Sequence, residues 1–204
     1  LPQGIVAADR VESKTELVFT EGPAADADGS VYFTDIANNR IMRLPAGGDT
    51  AEVFLEPSNR ANGLMFDANG DLLACEGNER GQGDSKGRRL VRINTKNKER
   101  TVIADRYQGK RFNSPNDLCL DSKGRIYFTD PYYGPHRDTL EMDVEGVYRV
   151  DPDGKNLVRV LGADQIKRPN GIAISADDRT LFVVDNYPNP PASRLLLAFV
   201  RMVR

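Results

Sequence analysis

Four in-phase repeats, tight-turn chemistry inside each of them and the absence of any strong helix signal together predict an all-β fold of the β-propeller type. The repeats open at Glu21, Asn62, Asn116 and Asn170 and close on a carboxylate at Asp35, Glu76, Asp130 and Asp185. They recur at intervals of roughly 40 to 55 residues, the span of a four-stranded blade.

The first repeat runs from Glu21-Gly22-Pro23 through the turn Asp26-Ala27-Asp28-Gly29 to Val31-Tyr32-Phe33-Thr34-Asp35, and a second strand pair, 40–44 with 51–55, follows it. The next repeats turn at Asp67-Ala68-Asn69-Gly70, Asp121-Ser122-Lys123-Gly124 and Ser175-Ala176-Asp177-Asp178. These residues tolerate positive φ and bond back to the main chain, as a β-hairpin requires. The third repeat adds 146–150 and 157–161, joined by Asp151-Pro152-Asp153-Gly154. Two hairpins per unit make one blade. Residues 194–199 read as a further strand, and 1–20 as an outer strand completing a terminal blade. At four strands per blade, 204 residues supply little more than four blades, and 200–204 follow with no turn residues. The expectation is one propeller domain over 1–204, lacking C-terminal blades or a hairpin loop.

Composition narrows the function classes. Lys plus Arg is 28 and Asp plus Glu is 30, for a net charge of −2, so no field draws nucleic acid or an acidic membrane. The longest apolar run, 195–200, has six residues, too short to cross a bilayer. One histidine, His136, and two cysteines, Cys75 and Cys119, exclude histidine-cluster chemistry, a disulfide framework and a cysteine-rich zinc cage. The cysteines read as buried free thiols. The glycine-rich stretch 77–87 opens no helix and reads as a surface loop rather than a phosphate cradle. Residues 131–145 form a longer insertion suited to border a pocket, with His136 in it as a bystander.

In a propeller the first strand of each blade lines the central channel, so equivalent positions converge on one axis. Here the converging set is Glu21, Asn62, Asn116 and Asn170. One carboxylate and three amides offer only hard oxygen donors, which suits Ca²⁺ better than Mg²⁺ and far better than Zn²⁺. A single Asn-Gly more often marks a bend than a ligand. Four in phase favour a metal. The closing carboxylates read instead as strand-end residues that accept backbone hydrogen bonds.

The ordered strings Thr20-Glu21-Gly22-Pro23, Tyr32-Phe33-Thr34-Asp35, Asn113-Ser114-Pro115-Asn116-Asp117, Tyr127-Phe128-Thr129-Asp130-Pro131, Gly146 to Gly154 and Arg168-Pro169-Asn170-Gly171-Ile172-Ala173 resemble the gluconolactonase, regucalcin and luciferin-regenerating enzyme family, most of all its bacterial gluconolactonases. The resemblance implies a six-bladed propeller with a divalent cation, usually calcium, at the channel top, here held by Glu21, Asn170 and Asn116. A later Asp, the family's favoured general base or nucleophile, has no counterpart in this sequence. The implied reaction is hydrolysis of a small-molecule sugar lactone, with Asn62, Arg111, Asn113 and Tyr133 placed to bind substrate. A calcium-dependent esterase or organophosphate hydrolase, and a non-catalytic binding propeller, are the competing readings. Compartment stays open: cytoplasmic, or exported after signal removal.

Overall fold

The computed structural model describes residues 17–77, 87–187 and 195–200. Blade 1 is the antiparallel meander β1 (Thr20–Ala25), β2 (Val31–Asp35), β3 (Arg40–Leu44) and β4 (Glu52–Leu55). Blade 2 repeats it with β5 (Ala61–Phe66), β6 (Leu72–Glu76), β7 (Arg89–Ile93) and β8 (Arg100–Ala104). A short hairpin, β9 (Arg106–Tyr107) and β10 (Lys110–Arg111), then leads to blade 3. That blade is β11 (Leu118–Leu120), β12 (Ile126–Asp130), β13 (Gly146–Val150) and β14 (Val158–Leu161). Blade 4 has three strands, β15 (Pro169–Ile174), β16 (Thr180–Asp185) and β17 (Leu195–Val200). Among the described residues the only helix is the 3-10 turn Arg137–Thr139, and none is long and apolar enough to cross a membrane. The expected outer strand within 1–16 and most of the 77–87 loop lie outside the described residues.

The first hairpin of each repeat forms where the turn residues place it. Asp26 Oδ1 accepts the backbone N–H of Asp28 and Ser30, Asp67 Oδ1 those of Asn69 and Asp71, and Asp121 Oδ1 those of Lys123 and Arg125. Blade 4 starts its turn with Ser175, whose Oγ takes the N–H groups of Arg179 and Thr180. Each turn thus satisfies backbone donors that a tight reversal would otherwise strand.

Alternation along the second strands builds the core between blades. From β6, Leu72 and Ala74 pack toward blade 1 against Tyr32, Ile41 and Phe54, while Leu73 and Cys75 pack toward blade 3 against Phe112, Leu118 and Phe128. From β12, Ile126 and Phe128 join that cluster, and Tyr127 turns to blade 4 with Ile172, Leu181 and Val183. Both faces of a central blade are buried, so these strands read as nearly continuous apolar runs. Each fully buried Leu, Ile or Phe contributes roughly 1.5–3 kcal/mol. Val18 and Phe19 beside blade 1, and Leu196 on blade 4, are exposed, on flanks that no other described blade covers. Cys75 and Cys119 are buried free thiols as expected, and burial pushes Cys119 up to about 12.

Candidate functional site

Glu21, Asn62 and Asn170 stand on the inner strands β1, β5 and β15, Asn116 lies two residues before β11, and their backbones are stitched from blade to blade. Gly63 N–H donates to Asn116 O at 2.6 Å. The buried Thr34 hydroxyl lies 3.1 Å from both Glu21 O and Asn62 O. At the equivalent place in blade 3, Thr129 Oγ1 donates to Asn170 O at 2.7 Å and accepts the Asp117 N–H at 3.1 Å. Cys75 and Val184, which have no hydroxyl, stand at this position in blades 2 and 4, one residue before Glu76 and Asp185. The carbonyls of Asn62, Asn116 and Asn170 are therefore each anchored, and the residues that carry them are held around the inner rim.

Pairing is displaced just at these residues. The ladder of the first strand shifts between Glu21 and Ala24, between Ala61 and Leu64, and between Pro169 and Ile172. Bulges of this kind re-aim side chains. They also demand room: a Cβ on Gly22 would sit 2.2 Å from Asn62 O, and one on Gly63 would sit 2.7 Å from Asn116 O. Glu21-Gly22 and Asn62-Gly63 are thus close inter-blade contacts, not merely bends, whereas a Cβ on Gly171 would meet nothing nearer than 3.6 Å.

Where the other repeats have Gly22, Gly63 and Gly171, the third has Asp117. Its Oδ1 accepts Leu118 N–H and its Oδ2 accepts Ile172 N–H in blade 4 at 3.1 Å. Burial raises its pKa against those two bonds. Burial and then the Asp117 charge raise that of Glu21. Two carboxylates therefore repel one another across the rim, and among the described residues neither has an ion-pair partner. The sequence showed this only as a carboxylate at a glycine position of the repeat, a signal the ligand pattern alone passes over. No three His, Cys, Asp or Glu side chains gather among the described residues, so a cation here would draw on the amide oxygens as well.

Asp130 and Asp185 accept backbone N–H groups as expected of strand-end carboxylates, whereas Glu76 is held by arginine side chains. Asp130 takes the N–H groups of Asn113 and Ser114 at 2.9 and 2.8 Å, and Asp185 those of Lys167 and Arg168 at 3.0 and 2.9 Å. Asp35 is held by Asn38 and Arg40, which keep its pKa low despite burial, and Glu76 by Arg89 and Arg100. Each shapes its blade's end. Burial drives Asp130 up to about 8, against its two N–H bonds.

Of the residues expected to bind substrate, Tyr133 reaches the rim: its hydroxyl accepts Asn170 Nδ2 at 3.0 Å. It also accepts Asn186 Nδ2 at 3.1 Å, a residue the sequence reading did not single out. Asn62 stands on the rim through its backbone. Arg111 and Asn113 are engaged elsewhere. Arg111 pairs with Glu141 through Nε at 2.6 Å, and buried Asn113 donates Nδ2 to Asp130 O and Val144 O. Asn113 lines a separate cavity of about 210 Å³ with Arg137, Met142, Glu145, Ile166 and Lys167. His136 O accepts the Thr139 N–H that closes the 3-10 turn, and its own N–H donates to the Tyr132 hydroxyl at 3.2 Å.

Consecutive antiparallel blades, three of four strands and one of three among the described residues, whose inner strands are hydrogen-bonded from blade to blade, define a β-propeller. The family model for the SMP-30/Gluconolactonase/LRE-like region matches residues 19–190, and the chain belongs to that family. A gluconolactonase of Zymomonas mobilis is 34% identical over 187 residues, covering 83% of this chain and 49% of that protein. Lactonase drp35 of Staphylococcus aureus is 25% identical over 190 residues, covering 92% of this chain and 54% of its own length. A solved gluconolactonase of Xanthomonas campestris superposes with a TM-score of 0.76 at 32% identity, over 91% of this chain and 59% of that one. The chain thus spans about half the length of the curated relatives it matches.

Proposed function

We propose that the intact protein hydrolyses a sugar lactone to its hydroxy acid with the aid of a calcium ion held by Glu21, Asn116 and Asn170. The observation that carries this is the pair Glu21 and Asp117, raised by burial and, at Glu21, by the neighbouring charge, with no cationic side chain beside either among the described residues. A donor set of hard oxygens beside uncompensated negative charge fits Ca²⁺, with Mg²⁺ second. The named lactonases among its relatives supply the substrate class.

When bound, the cation would polarise the lactone carbonyl and stabilise charge on its oxygen. We assign to Asp117 the part of proton acceptor from the attacking water. Its raised pKa brings it closer to working pH, where a general base is most effective. Water adds to the carbonyl carbon, the ring C–O bond breaks, and the leaving oxygen takes a proton, giving the hydroxy acid. Asn62 and Tyr133 border this place and fit the binding of substrate hydroxyls; Arg111 and Asn113, committed to Glu141 and Asp130, fit a supporting role.

Calcium calorimetry and hydrolysis of gluconolactone test the reading on the intact protein and its Glu21→Gln and Asp117→Asn variants. Glu21→Gln is expected to lose calcium binding and calcium-dependent turnover while keeping its fold. Asp117→Asn is expected to bind calcium but turn over at least ~100-fold more slowly. Normal turnover by Glu21→Gln overturns the ligand reading, and a phosphotriester cleaved faster than the lactone overturns the substrate.

A further inference from the structure

At the edge of the rim, the hydroxyl of Tyr133 receives two side-chain amides. The side chain comes from the 131–145 insertion of blade 3 yet stands on blade 4. Its ring lies against the Arg168 guanidinium at 5.5 Å, and Tyr187 covers the same guanidinium at 5.7 Å. Arg168 in turn pairs with Glu145 at 3.3 Å, and Glu145 also holds Arg137. The insertion is thereby fastened to the start of β15, two residues before Asn170. Asn186 is fixed independently, its backbone N–H donating to Arg168 O at 2.9 Å.

The polarity of the contact is what matters. Both hydrogen bonds reaching the phenol oxygen come from amide nitrogens, Asn170 Nδ2 at 3.0 Å and Asn186 Nδ2 at 3.1 Å. A phenol has one proton and can accept at its oxygen. With that oxygen receiving two N–H groups, the O–H proton has no acceptor among the described residues. The same arrangement commits the nitrogen end of Asn170 and leaves its Oδ1 without a protein donor among them. An unclamped amide would present either end.

We propose that Tyr133, supported by Asn186, fixes the amide of Asn170 so that its oxygen alone is offered to a hard cation, and that its own O–H is offered to an oxygen of the bound lactone. This rests on the reading of Asn170 as a calcium ligand and goes beyond it, because it says what makes an asparagine behave as an oxygen-only donor here. Removing the phenol oxygen frees the amide without altering any ligand.

The test compares the intact protein with its Tyr133→Phe variant by two independent readouts. In metal-free ¹⁵N-labelled protein, exchange of the Asn170 side-chain NH₂ protons is expected to be slowed and to speed up in Tyr133→Phe; equal exchange in both overturns the clamp, whether or not calcium binds. In calcium calorimetry, Tyr133→Phe is expected to bind about five- to tenfold more weakly, the loss of one orienting hydrogen bond. At saturating calcium its KM for gluconolactone is expected to rise about threefold or more, the loss of one donor to the substrate. A variant that melts lower but keeps the calcium Kd and the KM shows a merely structural tyrosine and overturns the proposal. Should the unaltered protein bind no calcium, the ligand reading fails, and with it the cation half of the proposal, while the exchange measurement still decides whether the amide is clamped.

Discussion

Thr129→Val is the sharpest probe of how the rim is held, because the change is nearly isosteric and Val184 already fills the same place in blade 4. The Thr129 hydroxyl is fully buried and serves two backbone groups at once, donating to Asn170 O at 2.7 Å and accepting from Asp117 N at 3.1 Å. Valine leaves a carbonyl and an N–H short of a partner. Each buried group so stranded costs about 1–3 kcal/mol, which is partly relieved if the blades shift, so a net loss of about 2–3 kcal/mol is expected. Thr34→Val is the internal control. Its hydroxyl only donates, shared at 3.1 Å between Glu21 O and Asn62 O, so about 1 kcal/mol is expected. Thr129→Ser keeps the hydroxyl and should recover most of the loss. Urea unfolding followed by circular dichroism gives all three numbers, provided the slope of the transition is unchanged. A Thr129→Val loss below about 0.5 kcal/mol, or one no larger than that of Thr34→Val, would refute the idea that this hydroxyl joins blade 3 to blade 4 at the site.

Further outcomes follow from other parts of the rim. Gly63→Ala should destabilise by more than about 2 kcal/mol, since its Cβ would meet the Asn116 carbonyl and Asp117 Cα at 2.7 Å, both backbone atoms that cannot swing aside; an unchanged melting temperature would contradict the close approach of blades 2 and 3. Asp130, pushed by burial up to about 8, holds its proton more tightly folded than unfolded. Its contribution is full below the ordinary carboxylate range and is lost as pH rises through about 8. Unfolding free energies of the protein minus those of Asp130→Asn should therefore fall between pH 4 and pH 8, near the ordinary and raised values, and a flat difference would rule this out. Arg168→Ala removes the cation between Tyr133 and Tyr187 and one partner of Glu145; it should cost about 1–2 kcal/mol by thermal unfolding, and no change would show that the insertion is fastened by other contacts.

Much of the blade arrangement was legible from local chemistry. Turn residues and β-branched or aromatic runs place β1 to β6 and β11 to β17 because each depends on neighbours in the chain; β7 and β8 emerge only in the structure. The in-phase Glu21, Asn62, Asn116 and Asn170 were legible for the same reason: a repeat that folds the same way four times puts the same position in the same place. Arg111 and Asn113 show the limit. Asn113 opens one of the most informative strings of the sequence and Arg111 lies two residues before it, yet their donors are taken by Glu141, Asp130 and Val144, partners 17 to 31 residues away in the chain.

What the sequence by itself determined is periodicity: an all-β chain, the order of its hairpins, and four oxygen-bearing residues recurring at the same place in each repeat. What only the tertiary structure decided is which groups meet across blades. That Asp117, in a glycine's place, charges the rim beside Glu21, that Thr129 binds two blades through one hydroxyl, and that Tyr133 crosses from blade 3 to take the amides of Asn170 and Asn186 all depend on pairs far apart in the chain. Hydropathy and turn propensity report on a residue's near neighbours; burial, like-charge repulsion and the direction of a hydrogen bond exist only once the blades have closed on one another.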